Sequence, residues 1–197
     1  VTQFGHQTAA ELLTLIENYA HEHRWLKVAG GEKAQILETH IKPGDRVLEL
    51  GTYIGFTSLR LAAHGCQVIS IEADPLNAAV AQKILSMTSE VSRVKMCVGR
   101  ANDWLSCGLL EPVDVLLLDH RGTIYHEDLA MAERLLRPGA RVIADNVLHP
   151  GAPLFVNDVK ERYDLEVHVL EEFGMSKLED WLFICKPKLE KMAAMPR

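Results

Sequence analysis

The sequence predicts an α/β fold with a doubly wound, mostly parallel sheet, and three observations support this. Short apolar segments rich in Val, Ile and Leu alternate with segments in which apolar residues recur at helical spacing. Turn signals such as Lys42-Pro43-Gly44-Asp45 separate them. The length of 197 residues fits one domain. Strands that alternate with helices form βαβ units, so we expect helices on both faces of the sheet.

The first part of the chain is predicted to be helical. Apolar side chains recur at helical spacing in residues 8–19, and a second helical stretch covers 32–40. We assign residues 1–43 to N-terminal helices and a lid, and residues 44–197 to a Rossmann-like core. Residues 1–197 are therefore expected to form a single domain.

Seven strands are predicted in the core. They cover residues 46–51, 67–72, 94–98, 113–119, 140–145, 165–170 and 180–186. Helices are expected over 57–64 and 126–136, and a further helix begins at Asp74-Pro75 with Asp74 as its N-cap. A short connection joins the last two strands, so these can pair antiparallel. The prediction is a seven-stranded Rossmann-like sheet with one antiparallel strand.

Composition excludes several classes of protein. The net charge of -6 disfavours a nucleic-acid partner, and no apolar run reaches the length of a membrane span. The four cysteines have no C-x-x-C spacing, which indicates buried reduced thiols, and no secretory leader is recognised. We therefore expect a cytoplasmic protein without a membrane segment. We also expect a monomer or weak dimer.

A glycine-containing loop follows the first predicted strand. Gly51 and Gly55 lie in it, and Glu72 ends the second strand about 20 residues later. Glycine allows close approach of a ligand, and an acid at that position can hold both ribose hydroxyls of a nucleoside. The G-x-G-x-x-G spacing of a dinucleotide site is absent, which favours S-adenosylmethionine over NAD. A strand-to-helix turn without a ligand is the alternative.

Oxygen-bearing side chains end two further strands. Asp119 follows the fourth strand, and Asp145 with Asn146 ends the fifth. Adjacent parallel strands would bring these residues to one edge, where two carboxylates and an amide suit Mg²⁺. A lone Asp at a strand end is otherwise a helix cap or a solvated turn residue.

Several motifs together resemble the catechol O-methyltransferase family over residues 24–159. They are the loop 49–57, Leu118-Asp119-His120, Ala144-Asp145-Asn146-Val147 and His149-Pro150-Gly151-Ala152-Pro153. The resemblance implies an S-adenosylmethionine-dependent, Mg²⁺-assisted O-methyltransferase that acts on a catechol-like small-molecule hydroxyl. It implies cofactor contacts from Ala29, Gly51, Tyr53, Thr57, Glu72, Ala101, Asn102, Asp119 and His120, and metal ligation by Asp119, Asp145 and Asn146.

The resemblance also assigns the acceptor side of the site. The implied catalytic residues are Asp119, Glu172 and Arg121, although Glu171 or Met175 could align in place of Glu172. The implied acceptor pocket consists of Trp25, Lys27, Arg121 and Pro150.

The chain departs from the family at two important positions. The family's catalytic lysine is replaced by Gly122, and a tryptophan of the acceptor pocket is replaced by Arg121. A non-catalytic S-adenosylmethionine-binding relative is therefore the alternative function. The transmembrane O-methyltransferase-like branch, however, resembles this chain in having Asp-His-Arg here. Lys27 and Arg121 predict an anionic acceptor, unless both side chains turn outward to solvent.

Overall fold

The computed structural model describes residues 8–23, 25–175 and 177–188. Its sheet has seven strands: β1 (Arg46–Leu50), β2 (Gln67–Glu72), β3 (Val94–Val98), β4 (Val113–Leu118), β5 (Leu136–Ala144), β6 (Tyr163–Glu171) and β7 (Glu179–Pro187). The helices are α1 (Ala9–Glu22), α2 (Gly31–His40), α3 (Phe56–Ala63), α4 (Pro75–Leu85), α5 (Ala101–Ser106), α6 (Tyr125–Ala132) and α7 (Pro153–Arg162).

The strands follow the order β3-β2-β1-β4-β5-β7-β6. All neighbouring pairs are parallel except β5 with β7 and β6 with β7, so β7 is the antiparallel strand. This confirms the predicted fold class. The chain order reverses between β1 and β4, and ligands of such sheets bind beyond the carboxyl ends of the strands at that point.

The central strands are buried on both faces. Leu48, Leu116 and Leu118 pack in one apolar cluster, whereas Val47 and Val115 pack in a second cluster. Consecutive side chains of a strand point to opposite faces, so these continuous apolar runs have helices on each side. Within the described residues, no helix is both long and apolar enough to cross a membrane.

Helix α4 begins as the sequence predicts. Pro75 is its first residue, and the Asp74 side chain accepts a hydrogen bond of 2.8 Å from the backbone N–H of Leu76. This bond satisfies one of the N–H groups that have no partner inside the helix.

The prediction around residues 126–145 was wrong in detail. Helix α6 ends at Ala132, a 3₁₀ turn covers Glu133–Leu135, and β5 already begins at Leu136. The predicted helix over 126–136 and the predicted strand over 140–145 leave Arg137-Pro138-Gly139 as a connection between them, but these three residues lie in β5, and Leu136 pairs with Val113 across a register shift in the sheet. Local turn propensity is therefore overridden by a non-local strand pairing. Helices α5 and α7 were not predicted from the sequence.

Candidate active site

Backbone hydrogen bonds join the carboxyl ends of four neighbouring strands, β2, β1, β4 and β5, at one end of the sheet. The N–H of Gly51 donates to Ile71, that of Asp119 to Leu50, and that of Asp145 to Leu118, each at 2.9 Å. These bonds extend the parallel pairing by one residue beyond the regular strands. The predicted loop and the predicted oxygen cluster therefore share one edge of the sheet.

The loop after β1 lies against Glu72. One Glu72 oxygen accepts from the N–H of Tyr53 at 2.7 Å, and the other accepts from the N–H of Asp74 at 2.9 Å. Gly51 has a φ of 98°. A side chain at Gly51 would collide with the backbone carbonyl of Asp119, so only glycine allows this approach of the loop to β4.

A cavity of about 300 Å³ opens between the loop and the end of β2. Six of the nine predicted cofactor residues line it: Gly51, Tyr53, Glu72, Ala101, Asp119 and His120. Ala29 and Thr57 line a neighbouring cavity, and Asn102 lies in a third cavity beside His120.

The neighbouring cavity, of about 110 Å³, is acidic and is called the acidic cavity below. Its lining includes the predicted residues Lys27, Ala29, Tyr53, Thr57, Asp119, Asp145, Asn146, Pro150 and Glu172. Tyr53 and Asp119 also line the cavity beside Glu72, so the two spaces adjoin. All three predicted metal ligands thus border one space.

Sequence reasoning missed Lys33, which lies at the centre of this site. Its side chain is only 2% exposed, and its Nζ lies 2.7 Å from Asp145 Oδ1, 2.5 Å from Glu172 Oε2 and 3.2 Å from Asp180 Oδ2. The sequence offers one indication of this burial. Lys33 and Leu37 are four residues apart on α2 and therefore share a helix face, and both are buried.

Asp180 was also missed, and it shapes the segment Val147–Gly151. One of its oxygens accepts from the backbone N–H of Leu148 at 3.2 Å and of His149 at 3.0 Å. The other accepts from Asn146 Nδ2 at 2.7 Å. Asp180 comes from β7, so this contact depends on the antiparallel pairing of β5 with β7 and has no local sequence signal.

Burial raises the pKa values of the carboxyl groups in this site, whereas Lys33 and nearby hydrogen-bond donors lower them. Burial raises the pKa of Asp119, and repulsion from Asp145 raises it further. Burial also raises the pKa values of Asp145 and Glu172, although Lys33 partly offsets this. Burial acts in the same direction on Asp180, but the backbone donor His149 and the Lys33 charge lower its pKa below the usual value. The cavity therefore favours binding of additional positive charge.

Two predicted acceptor residues lie away from the acidic cavity. Arg121 is exposed and lines a separate cavity of about 600 Å³ together with Asn102 and His120. Trp25 is 66% exposed, and its ring meets Tyr19 edge-on at 6.2 Å. Lys27 and Pro150 do line the acidic cavity.

Gly122 occupies the position of the family's catalytic lysine, and its surroundings leave no room for a side chain. A Cβ atom there would lie 2.5 Å from the carbonyl oxygen of Gly151 and 3.3 Å from Ala152 Cβ. A lysine would therefore require movement of the backbone at Val147–Gly151. The packing around Gly122 therefore accommodates glycine but not lysine.

Comparison with known proteins gives consistent relatives. The chain is 36% identical to the transmembrane O-methyltransferase of Homo sapiens over 171 residues, covering 80% of this chain and 59% of that protein. It is 29% identical to catechol O-methyltransferase of Bos taurus over 183 residues, covering 87% of this chain and 67% of that protein. The chain thus spans about three fifths to two thirds of the length of these curated relatives.

Solved structures and a family model point the same way. The fold matches an O-methyltransferase from Bacillus cereus in complex with S-adenosylhomocysteine, with a TM-score of 0.77, 20% identity, and coverage of 95% of this chain and 94% of that one. Residues 48–147 match the model of the methyltransferase domain, and this range extends from within β1 to just beyond β5 and includes the loop, Glu72, Asp119 and Asp145. The chain therefore belongs to the methyltransferase domain family and is similar to the catechol and transmembrane O-methyltransferases.

Proposed function

We propose that the protein is an S-adenosylmethionine-dependent, Mg²⁺-assisted O-methyltransferase that acts on a catechol-like hydroxyl. One observation carries the proposal: the cavity beside Glu72 and the acidic cavity adjoin, with Tyr53 and Asp119 bordering both. A methyl donor in the first and a hydroxyl acceptor in the second would be neighbours. Holding two reactants in line provides a large part of the acceleration of such a transfer.

The cofactor is proposed to bind with its ribose at Glu72. Two backbone N–H groups fix the Glu72 carboxylate, and a carboxylate has about four lone-pair sites, so it can accept from ribose hydroxyls as well. The O-methyltransferase names of the relatives and the complex of the Bacillus cereus protein with S-adenosylhomocysteine support this choice over NAD.

The residues of the acidic cavity fit a hard divalent cation. Asp119, Asp145 and Asn146 offer oxygen donors, and burial raises the pKa of both aspartates, with repulsion from Asp145 adding to the rise at Asp119. Asn146 directs its Nδ2 to Asp180, so its Oδ1 is the atom that remains for a cation. Bound Mg²⁺ would supply positive charge that favours loss of the acceptor proton.

Glu172 is the proposed acceptor of that proton. Lys33 and Asn146 both donate to its Oε2, so Oε1 is the oxygen that we assign to this role. Burial raises the pKa of Glu172, which makes its carboxylate a stronger base near neutral pH. Bound S-adenosylmethionine would supply the methyl group, whose transfer from the sulfonium sulfur to the deprotonated acceptor oxygen would leave a methyl ether and a neutral thioether.

A methyl-transfer assay on a panel of catechols tests this function. We expect turnover that requires Mg²⁺, and loss of most turnover in Asp145→Ala but not in the control Asp164→Ala, which alters an exposed residue of β6. Full activity in excess chelator would exclude the metal-assisted mechanism. Binding of S-adenosylhomocysteine without turnover on any acceptor would instead support the non-catalytic alternative that Gly122 suggests.

The acceptor is proposed to carry an anionic group that pairs with Lys27. The Lys27 side chain lines the acidic cavity and is exposed at its rim, whereas Arg121 lies in another cavity. A catechol carboxylic acid should therefore have a higher kcat/KM than a catecholamine. Lys27→Met should remove this difference, and Lys83→Met on the exposed face of α4 should not. Equal kcat/KM values for both acceptors in the unmodified protein would contradict the proposal.

A further inference from the structure

A second cluster of side chains that can bind metal lies beside β6, the strand at the lateral edge of the sheet. None of its residues belongs to the proposed methyl-transfer site. His40 is the last residue of α2, and Glu166 and His168 lie on the edge strand β6. Glu166 and His168 are two residues apart, so they project from the same face of the strand. Helix α2 thus ends where β6 presents a carboxylate and an imidazole.

The donor atoms of these three residues converge. Glu166 Oε1 lies 3.3 Å from His40 Nε2 and 3.0 Å from His168 Nε2. All three ligand atoms lie within 4.8 Å of one another. In a tetrahedral zinc site with bonds of about 2.0–2.1 Å, ligand atoms are about 3.3 Å apart. Two of the three separations therefore already match tetrahedral coordination, and a small rotation of one imidazole would bring the third into range.

The His168 imidazole has an unused nitrogen in this cluster. Its Nε2 is buried and has no hydrogen-bond partner within the described residues. This nitrogen lies 3.0 Å from Glu166 Oε1, but the angles of the contact are not those of a hydrogen bond. A buried nitrogen without a partner is costly, and a metal ion between the three side chains would use it.

We propose that His40, Glu166 and His168 form a binding site for Zn²⁺ or a similar transition-metal ion. Two imidazoles and a carboxylate are the ligands of zinc, whereas the oxygen-only set at Asp119 and Asp145 suits Mg²⁺. Three protein ligands leave the fourth position of the tetrahedron to water. The ion would join the end of α2 to β6.

Nearby charges moderate the affinity of this site. Lys186 and Arg141 both repel positive charge at His40, although Arg141 is paired with Asp45 at 2.6 Å. Burial lowers the pKa of His40, and the partly opposing effect of Glu166 does not reverse this, so the neutral imidazole that binds metal is favoured. We expect weaker binding than in a closed site with four protein ligands.

Calorimetric titration with ZnCl₂ tests the site. The protein is prepared without a polyhistidine tag, treated with a chelator, and titrated in excess Mg²⁺ so that the oxygen cluster is saturated. The unmodified protein should bind one Zn²⁺. Binding should weaken at least about tenfold in His168→Gln, in Glu166→Gln and in the double variant His40→Gln/His168→Gln. These side chains are partly exposed, and circular dichroism checks that each variant folds.

His126→Gln is the matched control, because His126 also faces a glutamate, at 3.8 Å, but belongs to no three-residue cluster of the described chain. It should bind Zn²⁺ like the unmodified protein. Zn²⁺ should also raise the Tm of the unmodified protein and not that of the double variant, since a ligand stabilises the state that binds it. Unchanged affinity in the double variant, or no saturable binding in the unmodified protein, would overturn the proposal.

Discussion

Replacement of Lys33 by Met would remove the ammonium group that three buried carboxylates share. Methionine keeps most of the length of the side chain, so the change is chiefly one of charge. Asp145, Glu172 and Asp180 each lie within 3.2 Å of the Lys33 Nζ atom, and the lysine side chain is only 2% exposed. The side chains of Asp145, Glu172 and Asp180 are only 6%, 6% and 1% exposed, so solvent can replace the lost partner only in part.

The expected loss of stability is large. Removal of one partner of a buried ion pair costs about 3–5 kcal/mol, because the remaining charge stays buried without compensation. Burial would lower the pKa of Lys33, but the charges of Asp145 and Glu172 outweigh it and raise that pKa, so the lysine is charged at neutral pH. We therefore expect Lys33→Met to lower the free energy of unfolding by about 3–5 kcal/mol near pH 7.

Urea denaturation in the presence of a chelator measures this change, and its pH dependence identifies the cause. Without Lys33, the pKa values of Asp145 and Glu172 should rise further, so the native variant would bind protons that the unfolded chain does not bind. Its stability should therefore increase as the pH falls from neutral to about 5, and the gap to the unmodified protein should narrow.

Lys83→Met is the matched control, because Lys83 is an exposed residue of helix α4. It should change the free energy of unfolding by less than about 0.5 kcal/mol. A loss below about 1 kcal/mol in Lys33→Met, or a gap that does not depend on pH, would show that the carboxylates do not depend on this lysine.

Three other side-chain changes have defined outcomes. Glu72→Ala should weaken binding of S-adenosylhomocysteine by about 1–3 kcal/mol in a calorimetric titration, and an unchanged affinity would contradict the ribose assignment. Burial raises the pKa of Glu49 to about 7. The native state therefore retains a proton that the unfolded chain loses above about pH 4.5, and this group should remove about 3 kcal/mol of stability as the pH rises from 4.5 to 7. Glu49→Gln should abolish that contribution in urea denaturation at several pH values, and an identical slope in both proteins would refute it. Gly122→Lys should lower the Tm and should not raise the activity above that of the unmodified protein, because its Cβ would meet the Gly151 carbonyl, whereas Thr123→Lys at the exposed neighbour should leave the Tm unchanged.

The fold could be predicted from the sequence because its signals are local. Strands β1 to β4 are short segments rich in apolar residues between turn residues, and the Asp74-Pro75 pair marks the start of α4. Helix α7 also carried a signal that was not used. Pro153 is its first residue, and Phe155 and Val159 are spaced by four and buried.

The site could be predicted only in part. The position of Asp119 and Asp145 at the same end of the sheet follows from the parallel pairing of β4 with β5 alone. Lys33 was not found because its role depends on carboxylates from β7 and the segment after β6, which are close only in the folded chain. The direction of the exposed Arg121 side chain likewise depends on the loop that carries it, for which the sequence provides no periodic signal.

The balance of charge around Lys33 supports the proposal that this site binds a further cation. Asp119, Asp145, Glu172 and Asp180 contribute four carboxylates, whereas Lys33 is the one buried cation that the described residues bring among them. Its ammonium is already committed to three of them, so it cannot also stabilise a deprotonated acceptor. Under the proposed function, the positive charge at the acceptor oxygen would therefore come from a bound metal ion or from Lys27 at the cavity rim. Of these two, only the metal could also reduce the repulsion between Asp119 and Asp145. We therefore favour an arrangement in which the metal contacts the reacting oxygen and Lys27 pairs with a distal anionic group of the acceptor.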